Sequence, residues 1–490
     1  MGLGRGQHAQ LPDPAREGEG VPRRPRGPGG ARGRQAARAR PAHPRRGRGL
    51  AGPPRVGAAR PRGPRPAGRR GRAPRPARAR APVRRPLSVT TGPGPSSGTG
   101  QLRRANTAVV LQSLRRRGPA SRAELAQRTG LAKATVGAIV ADLEEAGAIV
   151  EEAPAQPARG RPSRPVALRP GAHLGLGLEL NVDYVSAVVV DLAGAVLASE
   201  SRAAGEDRVE VLLALAAELR ATHLGPLLGA TVAVPALVRD DDRTVAWAPN
   251  LPLHGDGLVA HLAAALGCEV RVVNDANCAA YAEAHHGAAR GVDHALYLTG
   301  TVGIGAGIVV GGQLVQGAAG FAGEVGHMPV GDPTAPCGCG RRGCWEASIG
   351  LHAVLEAVGM PELDTPVTTA EAVAARAADD PAARATVERV GRDLGLGLAI
   401  LSGVLDPAVV VLGGYFVPLG DLVLEPARRV LDARLASEVQ VRPELRLGTL
   451  GLRAAALGAA EQSLARVLAG EADLGDLGDL GDLGDLAVRG

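Results

Sequence analysis

The sequence GFAGEVGHMPVGDPTAPCGCGRRGCWE, residues 320–346, is the most informative stretch of the chain. It contains one histidine and three of the five cysteines of the chain: His327, Cys337, Cys339 and Cys344. An imidazole and three thiolates complete the tetrahedral shell of a zinc ion, and the intervening glycines allow the tight loops that such a site requires. Because four protein ligands close the shell, the spacing predicts a structural zinc site. The alternative is a loop whose thiols lie together by chance.

The remaining cysteines and the overall hydropathy indicate a cytoplasmic protein. We expect Cys268 and Cys278 to be buried, inert thiols, and in a reducing compartment a tight cluster of thiols indicates a metal before it indicates disulfides. The N-terminus lacks the apolar segment of a signal peptide, and no run of about 20 apolar residues is present. The sequence therefore predicts no contact with a membrane.

Beyond Pro170, short apolar segments alternate with helical stretches, which is typical of an α/β fold. The predicted strands lie at residues 173–180, 185–190, 231–234, 270–273, 295–298, 304–310 and 409–412. The sequence VVNDAN, residues 272–277, places Asp275 at the end of one of them. In a sugar kinase such a carboxylate is the general base, and in a binding protein it accepts a hydrogen bond from a sugar hydroxyl. The position suits both roles.

A glycine-rich sequence, TGTVGIGAG at residues 299–307, joins two of these strands. Backbone N–H groups approach an anion closely where side chains are missing, so Gly303, Gly305 and Gly307 are candidate phosphate-binding residues. A purely structural turn explains the same glycines.

Residues 101–170 have the layout of a DNA-binding domain. Apolar residues between Ala105 and Leu114 recur at helical spacing, and a capping box formed by Ser121 and Glu124 begins a second, short helix. A third helix follows a Thr-Gly turn, and two short strands around a tip rich in Pro, Gly and Arg predict a β-hairpin wing. The pattern predicts a winged helix-turn-helix; an ordinary three-helix bundle is the alternative.

The third helix is predicted to enter the major groove of double-stranded DNA. Its first residues, Lys133, Ala134 and Thr135, are small or basic and allow close approach to base edges. Arginines of the second helix and the wing are predicted to contact phosphates or the minor groove: Arg122, Arg159, Arg161 and Arg164. The domain is basic, with 12 basic and 6 acidic residues.

Residues 1–100 contain 24 arginines and 3 acidic residues, with almost no large apolar side chains. Such a segment cannot bury enough surface to offset its ordering entropy, so we expect disorder. One interpretation is a basic arm that adds non-specific DNA affinity. We favour the other, in which the start site is assigned too far upstream and translation begins near Val83 or Val89. The rest of the chain is net acidic, and residues 471–490, which repeat Gly-Asp-Leu, predict a solvated low-complexity tail.

Three motifs resemble the ROK family (repressors, open reading frames and sugar kinases), in particular its members with an N-terminal winged helix. The motifs are Asn274-Asp-Ala-Asn277, Ala322-Gly-Glu-x-Gly-His327 and Cys337-x-Cys-Gly-x-x-Gly-Cys344-x-Glu346. The resemblance extends from about Arg103 to the helix that contains Val467. It implies two actin/hexokinase-like (ribonuclease-H-like) lobes around a cleft, at residues 171–285 and 286–470, with the zinc site in the second lobe and the last helix returning to the first.

The resemblance also implies which residues bind ligands. Zinc would be held by His327, Cys337, Cys339 and Cys344, and the residues implied to bind sugar hydroxyls are Asn250, Asn274, Asp275, Glu324, His327 and Glu346. His327 serves both roles if one ring nitrogen ligates zinc and the other faces the sugar. The family further implies a homodimer or tetramer and, as effector, a sugar or sugar phosphate.

One turn departs from the kinases of this family, which open their first lobe with an Asp-x-Gly-Gly-Thr turn around the ATP phosphates. Residues 179–183 read ELNVD, without either glycine or the threonine, although Gly413 and Gly414 remain candidates for phosphate contact. We therefore expect a sugar-responsive regulator, most simply a repressor of carbohydrate genes, that does not use ATP. The alternatives are an ATP-dependent sugar kinase fused to a DNA-binding domain, with Asp275 as general base, and a DNA-binding protein whose second domain only dimerises.

Overall fold

The computed structural model describes residues 98–152, 164–223, 225–301, 303–435 and 442–474. Residues 1–97 of the predicted disordered tract and the predicted tail from residue 475 onward lie outside this range, as does the wing tip with Arg159 and Arg161. Within the described ranges, no helix is long and apolar enough to cross a membrane.

The winged helix comes first. Its elements are α1 (Gly98–Arg117), α2 (Arg122–Thr129), α3 (Lys133–Glu145) and the antiparallel strands β1 (Ile149–Glu151) and β2 (Val166–Leu168). The predicted capping box begins α2: the Ser121 hydroxyl accepts a hydrogen bond from the Glu124 N–H at 3.2 Å, and the Glu124 carboxylate accepts one from the Ser121 N–H at 2.8 Å. The predicted winged-helix fold is confirmed. Within α1, Val110 and Leu111 are buried, whereas Val109 is exposed.

The first lobe is built on a five-stranded sheet with the order β5-β4-β3-β6-β9. Its strands are β3 (Leu174–Leu180), β4 (Tyr184–Asp191), β5 (Val196–Ala203), β6 (Leu227–Val234) and β9 (Val270–Asn274), with a hairpin of β7 (Leu237–Val238) and β8 (Val245–Trp247). Its helices are α4 (Arg208–Thr222), α5 (Gly257–Leu266) and α6 (Asp275–His286). Strands β3 and β4 are buried along their whole length, although β3 alternates leucine with glycine or glutamate and β4 contains a serine and an aspartate.

The second lobe repeats this topology with the order β12-β11-β10-β13-β14. The strands are β10 (His294–Gly300), β11 (Ile304–Val310), β12 (Gln313–Leu314), β13 (Val409–Gly414) and β14 (Glu444–Leu447). The helices are α7 (Glu346–Ile349), α8 (Leu351–Val358), α9 (Pro366–Asp379), α10 (Pro381–Leu405), α11 (Phe416–Leu419) and α12 (Asp421–Arg434). In each sheet three antiparallel strands are followed by two that run parallel to the central one. This doubled arrangement confirms the predicted pair of lobes.

The last helices of the described residues are α13 (Ala454–Ser463) and α14 (Ala465–Ala469), of which α13 packs across β3 and α6 of the first lobe. Two glycines of β3 make this possible, since a Cβ on Gly175 or Gly177 would collide with the backbone of α13. The following α14 contacts α1 of the winged helix. The C-terminal helices thus lie between the first lobe and the DNA-binding domain.

Candidate ligand and metal site

Two short turns bring the four predicted zinc ligands together. His327 ends a 3-10 turn (Val325–His327), and the cysteine loop is closed by a hydrogen bond from the Cys337 N–H to the Arg341 carbonyl oxygen at 2.9 Å. The ligand atoms of all four residues lie within 4.8 Å of one another. Cys337 Sγ lies 3.7 Å from His327 Nδ1, and the Sγ atoms of Cys339 and Cys344 are also 3.7 Å apart.

The two separations of 3.7 Å fit the edges of a tetrahedral zinc site. With zinc–sulfur bonds of about 2.3 Å, two thiolates lie about 3.8 Å apart, and a thiolate and an imidazole nitrogen lie slightly closer. Three thiols and an imidazole form a donor set that suits zinc and not magnesium or calcium. Since Nδ1 of His327 faces the cluster, its Nε2 is the nitrogen left for a ligand.

Arg341 promotes the thiolate form of Cys339. Its Nε donates a hydrogen bond to the Cys339 Sγ at 3.3 Å. Burial raises the pKa of the Cys339 thiol, but hydrogen bonds from the side chain and backbone of Arg341, together with those from Cys337 and Cys344, more than offset this and bring the pKa to about 6. This lowering of the pKa favours the thiolate, the form that binds a metal.

Glu346 connects the cysteine cluster to the glycine-rich turn. Its Oε2 accepts a hydrogen bond from the Ile304 N–H at 2.8 Å, and its Oε1 accepts one from the Cys337 thiol at 3.6 Å. A Cβ on Gly303 would lie 2.6 Å from Oε2. Gly303, predicted as a phosphate-binding residue, is therefore required for the approach of the Glu346 carboxylate.

Asn274 stands where β9 ends and α6 begins. Its side-chain oxygen accepts a hydrogen bond from the Asn277 N–H at 3.1 Å, which caps α6, and its amide donates to the Ala236 carbonyl oxygen at 3.2 Å. These contacts account for Asn274 as a positioning residue, and its predicted contact with sugar stays a prediction. Asn250 lies exposed after β8 and makes no hydrogen bond to the described part of the chain.

Asp275 and Glu324, two of the predicted ligand-binding acids, both have a raised pKa. Asp275 is buried, and its Oδ1 accepts a hydrogen bond from the Ala276 N–H at 2.8 Å. Burial raises the pKa of Asp275 to about 7, with a contribution from the charge of Glu324. Burial also raises the pKa of Glu324, while His327 lowers it and Glu346 raises it. The charge of Glu324 thus acts on Asp275, and the charges of His327 and Glu346 act on Glu324; their shared contact with a sugar stays a prediction.

A further buried carboxyl, which the sequence did not single out as a site residue, lies at the end of β3. Glu179 is 2% exposed, and its Oε1 accepts hydrogen bonds from the Tyr184 hydroxyl at 2.6 Å and the Asn181 amide at 3.3 Å. Burial raises the pKa of Glu179 to about 8; the Tyr184 hydrogen bond opposes the rise and the charge of Asp275 adds to it. A carboxyl, a hydroxyl and an amide thus occupy the turn that is glycine-rich in the kinases.

The other predicted phosphate-binding glycines have packing roles. A Cβ on Gly305 would lie 2.9 Å from that of Ala276, and one on Gly307 would collide with Ala280, so β11 lies against α6 only with glycine at both positions. Close contacts with β10 likewise explain two further glycines, Gly413 and Gly414. Phosphate binding at these positions stays a prediction.

The first turn of α3 presents the predicted recognition residues. Lys133 and Ala134 are exposed and Thr135 is partly exposed. The residue before the helix is Ala132, which provides no side-chain cap. The N–H groups of the first turn therefore have no side-chain partner there, an arrangement that attracts phosphate.

Two of the predicted phosphate-contacting arginines lie among the described residues. The guanidinium of Arg122 contacts Glu144 and Glu151, both at 2.9 Å, and so ties α2 to α3 and β1. Arg164 lies 3.5 Å from Glu151, with its side chain 69% exposed. Contact of Arg122 with DNA would require exchange of a carboxylate for a phosphate, so the geometry favours a structural role for Arg122 and leaves Arg164 accessible.

A buried ion pair joins the DNA-binding domain to the first lobe. Arg115 of α1 donates hydrogen bonds to both carboxylate oxygens of Glu461 in α13, at 2.6 and 2.7 Å, and Glu461 is fully buried. Nε2 of His286, the last residue of α6, lies 2.6 Å from the same carboxylate. The sequence offered a single hint of this contact, an acid within the alanine-rich α13.

Comparisons with known proteins cover both parts of the chain. Residues 175–466 match the family model described as ROK family, and residues 103–160 match the one described as MarR family. The xylose repressor of Bacillus subtilis (strain 168) is 28% identical over 366 residues, which cover 73% of this chain and 94% of the repressor. The DNA-binding transcriptional dual regulator NagC of Escherichia coli (strain K12) is 27% identical over 343 residues, covering 66% of this chain and 84% of the regulator. A crystal structure of a ROK family transcriptional regulator, described as a homolog of E. coli MLC protein, superposes with a TM-score of 0.64 at 25% identity and covers 76% of this chain and 98% of that one.

Proposed function

Because this chain belongs to the ROK family and carries a winged helix ahead of its ROK domain, we propose that it is a sugar-responsive transcriptional repressor that binds operator DNA in the cytoplasm. Relatives named as a repressor and as a DNA-binding regulator align over more of the chain than the ROK domain alone. The accessible first turn of α3 supports the DNA-binding half of the proposal.

The observation that carries the proposal is a physical connection between the two halves. Helix α6 begins at Asp275 in the candidate ligand site and ends at His286, which contacts the carboxylate that holds Arg115 of α1. A ligand that displaces α6 would therefore change the contacts by which the DNA-binding domain is attached to the first lobe. Two or more copies of the chain, as a homodimer or tetramer, would present their winged helices to paired half-sites.

The converging carboxyl groups suit a polyhydroxylated ligand. Asp275, Glu324 and Glu346 offer acceptors for several hydroxyl donors, and Nε2 of His327 adds a further polar atom. With a pKa of about 7, Asp275 both accepts and donates hydrogen bonds near neutral pH. Binding that favours one arrangement of the lobes shifts the population toward it, and so changes the affinity for DNA.

Zinc has a structural place in this proposal. His327, Cys337, Cys339 and Cys344 would hold it, and the bound ion would supply rigidity and orient the imidazole. The Glu346 carboxylate would be held beside the cysteine loop by the hydrogen bond that it accepts from the Ile304 N–H.

A sugar kinase is the second candidate, because a carboxyl with a pKa of about 7 at the ligand site suits a general base. Against it stands the turn at Glu179, where a buried carboxyl takes the place of the phosphate-binding glycines. A coupled assay of ATP-dependent phosphorylation over a panel of hexoses and pentoses separates the two. Turnover that disappears in the Asp275→Asn variant would replace the repressor proposal with a bifunctional kinase.

The proposal is tested by Asp275→Ala and its isostere Asp275→Asn. We expect operator binding to stay within about twofold of the unmodified protein, while release of the operator by xylose, glucose or N-acetylglucosamine is lost. The matched control is Asp293→Ala, which removes an exposed acid outside the site. Fluorescence anisotropy of labelled operator DNA, selected from random sequence with this protein, provides the measurement. Normal release in both Asp275 variants would contradict the proposal.

A further inference from the structure

A cavity of about 680 Å³ adjoins the candidate ligand site. Ligand pockets in proteins have volumes of about 300 to 1,000 Å³, and the volume of this cavity lies within that range. Its lining includes Glu324 and His327 from the predicted site, the apolar side chains of Leu237 and Met328, and two residues that the sequence did not indicate, Trp247 and Arg341. Asp275, another residue of the predicted site, is not part of this lining.

Trp247 is unusual because it is a large aromatic side chain that is exposed to solvent. The chain has two tryptophans, of which Trp345 is fully buried and Trp247 is 47% exposed. The indole N–H of Trp247 has no hydrogen-bond acceptor among the described residues, whereas that of Trp345 donates to the Asp393 carbonyl oxygen at 2.9 Å. An exposed indole in a cavity offers a flat apolar face together with a polar edge.

The hairpin that carries Trp247 is held in place from two sides. Asp242, at its tip, forms an ion pair with Arg271 of β9, and its carbonyl oxygen accepts a hydrogen bond from the Val272 N–H at 2.8 Å. From the second lobe, the Gln316 amide donates to the Asp242 carboxylate at 3.1 Å. Trp247 is therefore presented by a fixed element, which lowers the entropy that a ligand loses on stacking against it.

Arg341 lines the cavity from the second lobe. Its Nε donates a hydrogen bond to the Cys339 Sγ, but its two terminal nitrogens make no hydrogen bond within the described part of the chain. A guanidinium fork of this kind matches two adjacent oxygen atoms. The first lobe thus contributes an aromatic face and the second lobe a pair of donors.

We propose that this cavity is a second sugar subsite, and that the effector is a carbohydrate of at least two rings. One ring lies at the predicted hydroxyl-binding acids; the second stacks on Trp247 and is hydrogen-bonded through adjacent hydroxyls to Arg341. A phosphate group would use Arg341 but would gain nothing from Trp247, Leu237 and Met328, so the lining favours a sugar ring. This inference rests on the proposed sugar response and names the size class of the effector.

The test compares monosaccharides with their β-1,4-linked dimers by isothermal titration calorimetry on the full chain. The pairs are xylose and xylobiose, glucose and cellobiose, and N-acetylglucosamine and chitobiose. We expect one dimer to bind at least about tenfold more tightly than its monomer, the equivalent of about 1.4 kcal/mol. Trp247→Ala is expected to abolish that difference without changing the affinity for the monomer, and Trp247→Phe, which keeps an aromatic face, to retain most of it.

The possible failures are distinguishable. A dimer that binds no better than its monomer, or an unchanged preference in Trp247→Ala, would overturn the second subsite while leaving the sugar response intact. Tighter binding of a sugar phosphate than of any dimer, unaffected by Trp247→Ala, would overturn it in favour of an anion site. If none of the sugars bound the unmodified protein, both this inference and the proposed function would be contradicted.

Discussion

Asp275 and His286 are the first and last residues of the same helix, α6, and lie about 16 Å apart along its axis. The first lies in the candidate ligand site, and the second contacts Glu461, the buried partner of Arg115 in the DNA-binding domain. Burial raises the pKa of Glu461, but His286 and Arg115 more than offset this and hold it at about 2. The carboxylate is therefore ionised throughout the neutral range and keeps both partners.

We expect Arg115→Ala to uncouple the two domains. Removing one partner of a buried pair costs about 3 to 5 kcal/mol when the other charge is left unpaired, and His286, which still contacts Glu461, should keep the loss of unfolding free energy near the lower value. Operator affinity without sugar should change little, whereas sugar-induced release should weaken about fivefold or more.

Urea unfolding and anisotropy titrations measure the two effects of Arg115→Ala. Arg116→Ala is the matched control, since Arg116 is the next residue of α1 and is exposed. Full sugar-induced release by the Arg115 variant would show that the ion pair contributes only stability.

Cys339→Ser is expected to abolish stoichiometric zinc. A serine hydroxyl is a poor zinc ligand, so we expect about one zinc per chain in the unmodified protein and almost none in the variant. The thermal midpoint and the sugar affinity should fall with it, because the loop that positions Glu346 loses its metal. Mass spectrometric metal analysis gives the stoichiometry, with Cys268→Ser as a control outside the cluster. Equal zinc content in the two variants would remove Cys339 from the ligand set.

Glu179→Gln is expected to stabilise the protein at alkaline pH. The pKa of Glu179 is about 8 in the folded chain and about 4.3 in an unfolded one, so the folded state holds the proton more tightly. Between these two values the contribution of this group to stability decreases as pH rises, by up to about 1.4 kcal/mol per pH unit. Above about pH 8 the decrease is complete.

Glutamine remains neutral and can still accept the Tyr184 hydrogen bond. The thermal midpoint of Glu179→Gln should therefore exceed that of the unmodified protein by several degrees more at pH 8.5 than at pH 5, since about 1 kcal/mol corresponds to a few degrees. Glu200→Gln, at an exposed position of β5, should show no such trend. A difference independent of pH would mean that Glu179 is ionised in the folded protein at neutral pH.

Lys133 is expected to report directly on DNA binding, because it is the only lysine of the chain and stands exposed at the start of α3. After reductive methylation with ¹³C-formaldehyde, it gives one side-chain signal besides that of the terminal amine. This signal should shift on addition of operator DNA and return on addition of the sugar. Lys133→Ala should lower operator affinity about tenfold, whereas Arg384→Ala, on α10, should leave it unchanged. An unshifted signal in the complex would exclude Lys133 from the interface.

Local chemistry determined much of what the sequence could reveal. The capping box of α2, the strands β3 and β4, and the cluster of His327 with three cysteines all depend on residues near one another in the chain, so their spacing is sufficient to predict them. The resemblance to a family then supplied the topology of two lobes, which no local pattern specifies.

Contacts between distant segments were decided by the tertiary structure alone. Arg115 and Glu461 are separated by 346 positions, and Trp247 faces the same cavity as Arg341 although the two belong to different lobes. Gly305 and Gly307, which suggest a phosphate turn when taken alone, allow β11 to pack against α6. Burial, pairing and close packing depend on which surfaces meet, and a linear pattern contains that information only where the meeting surfaces are neighbours in sequence.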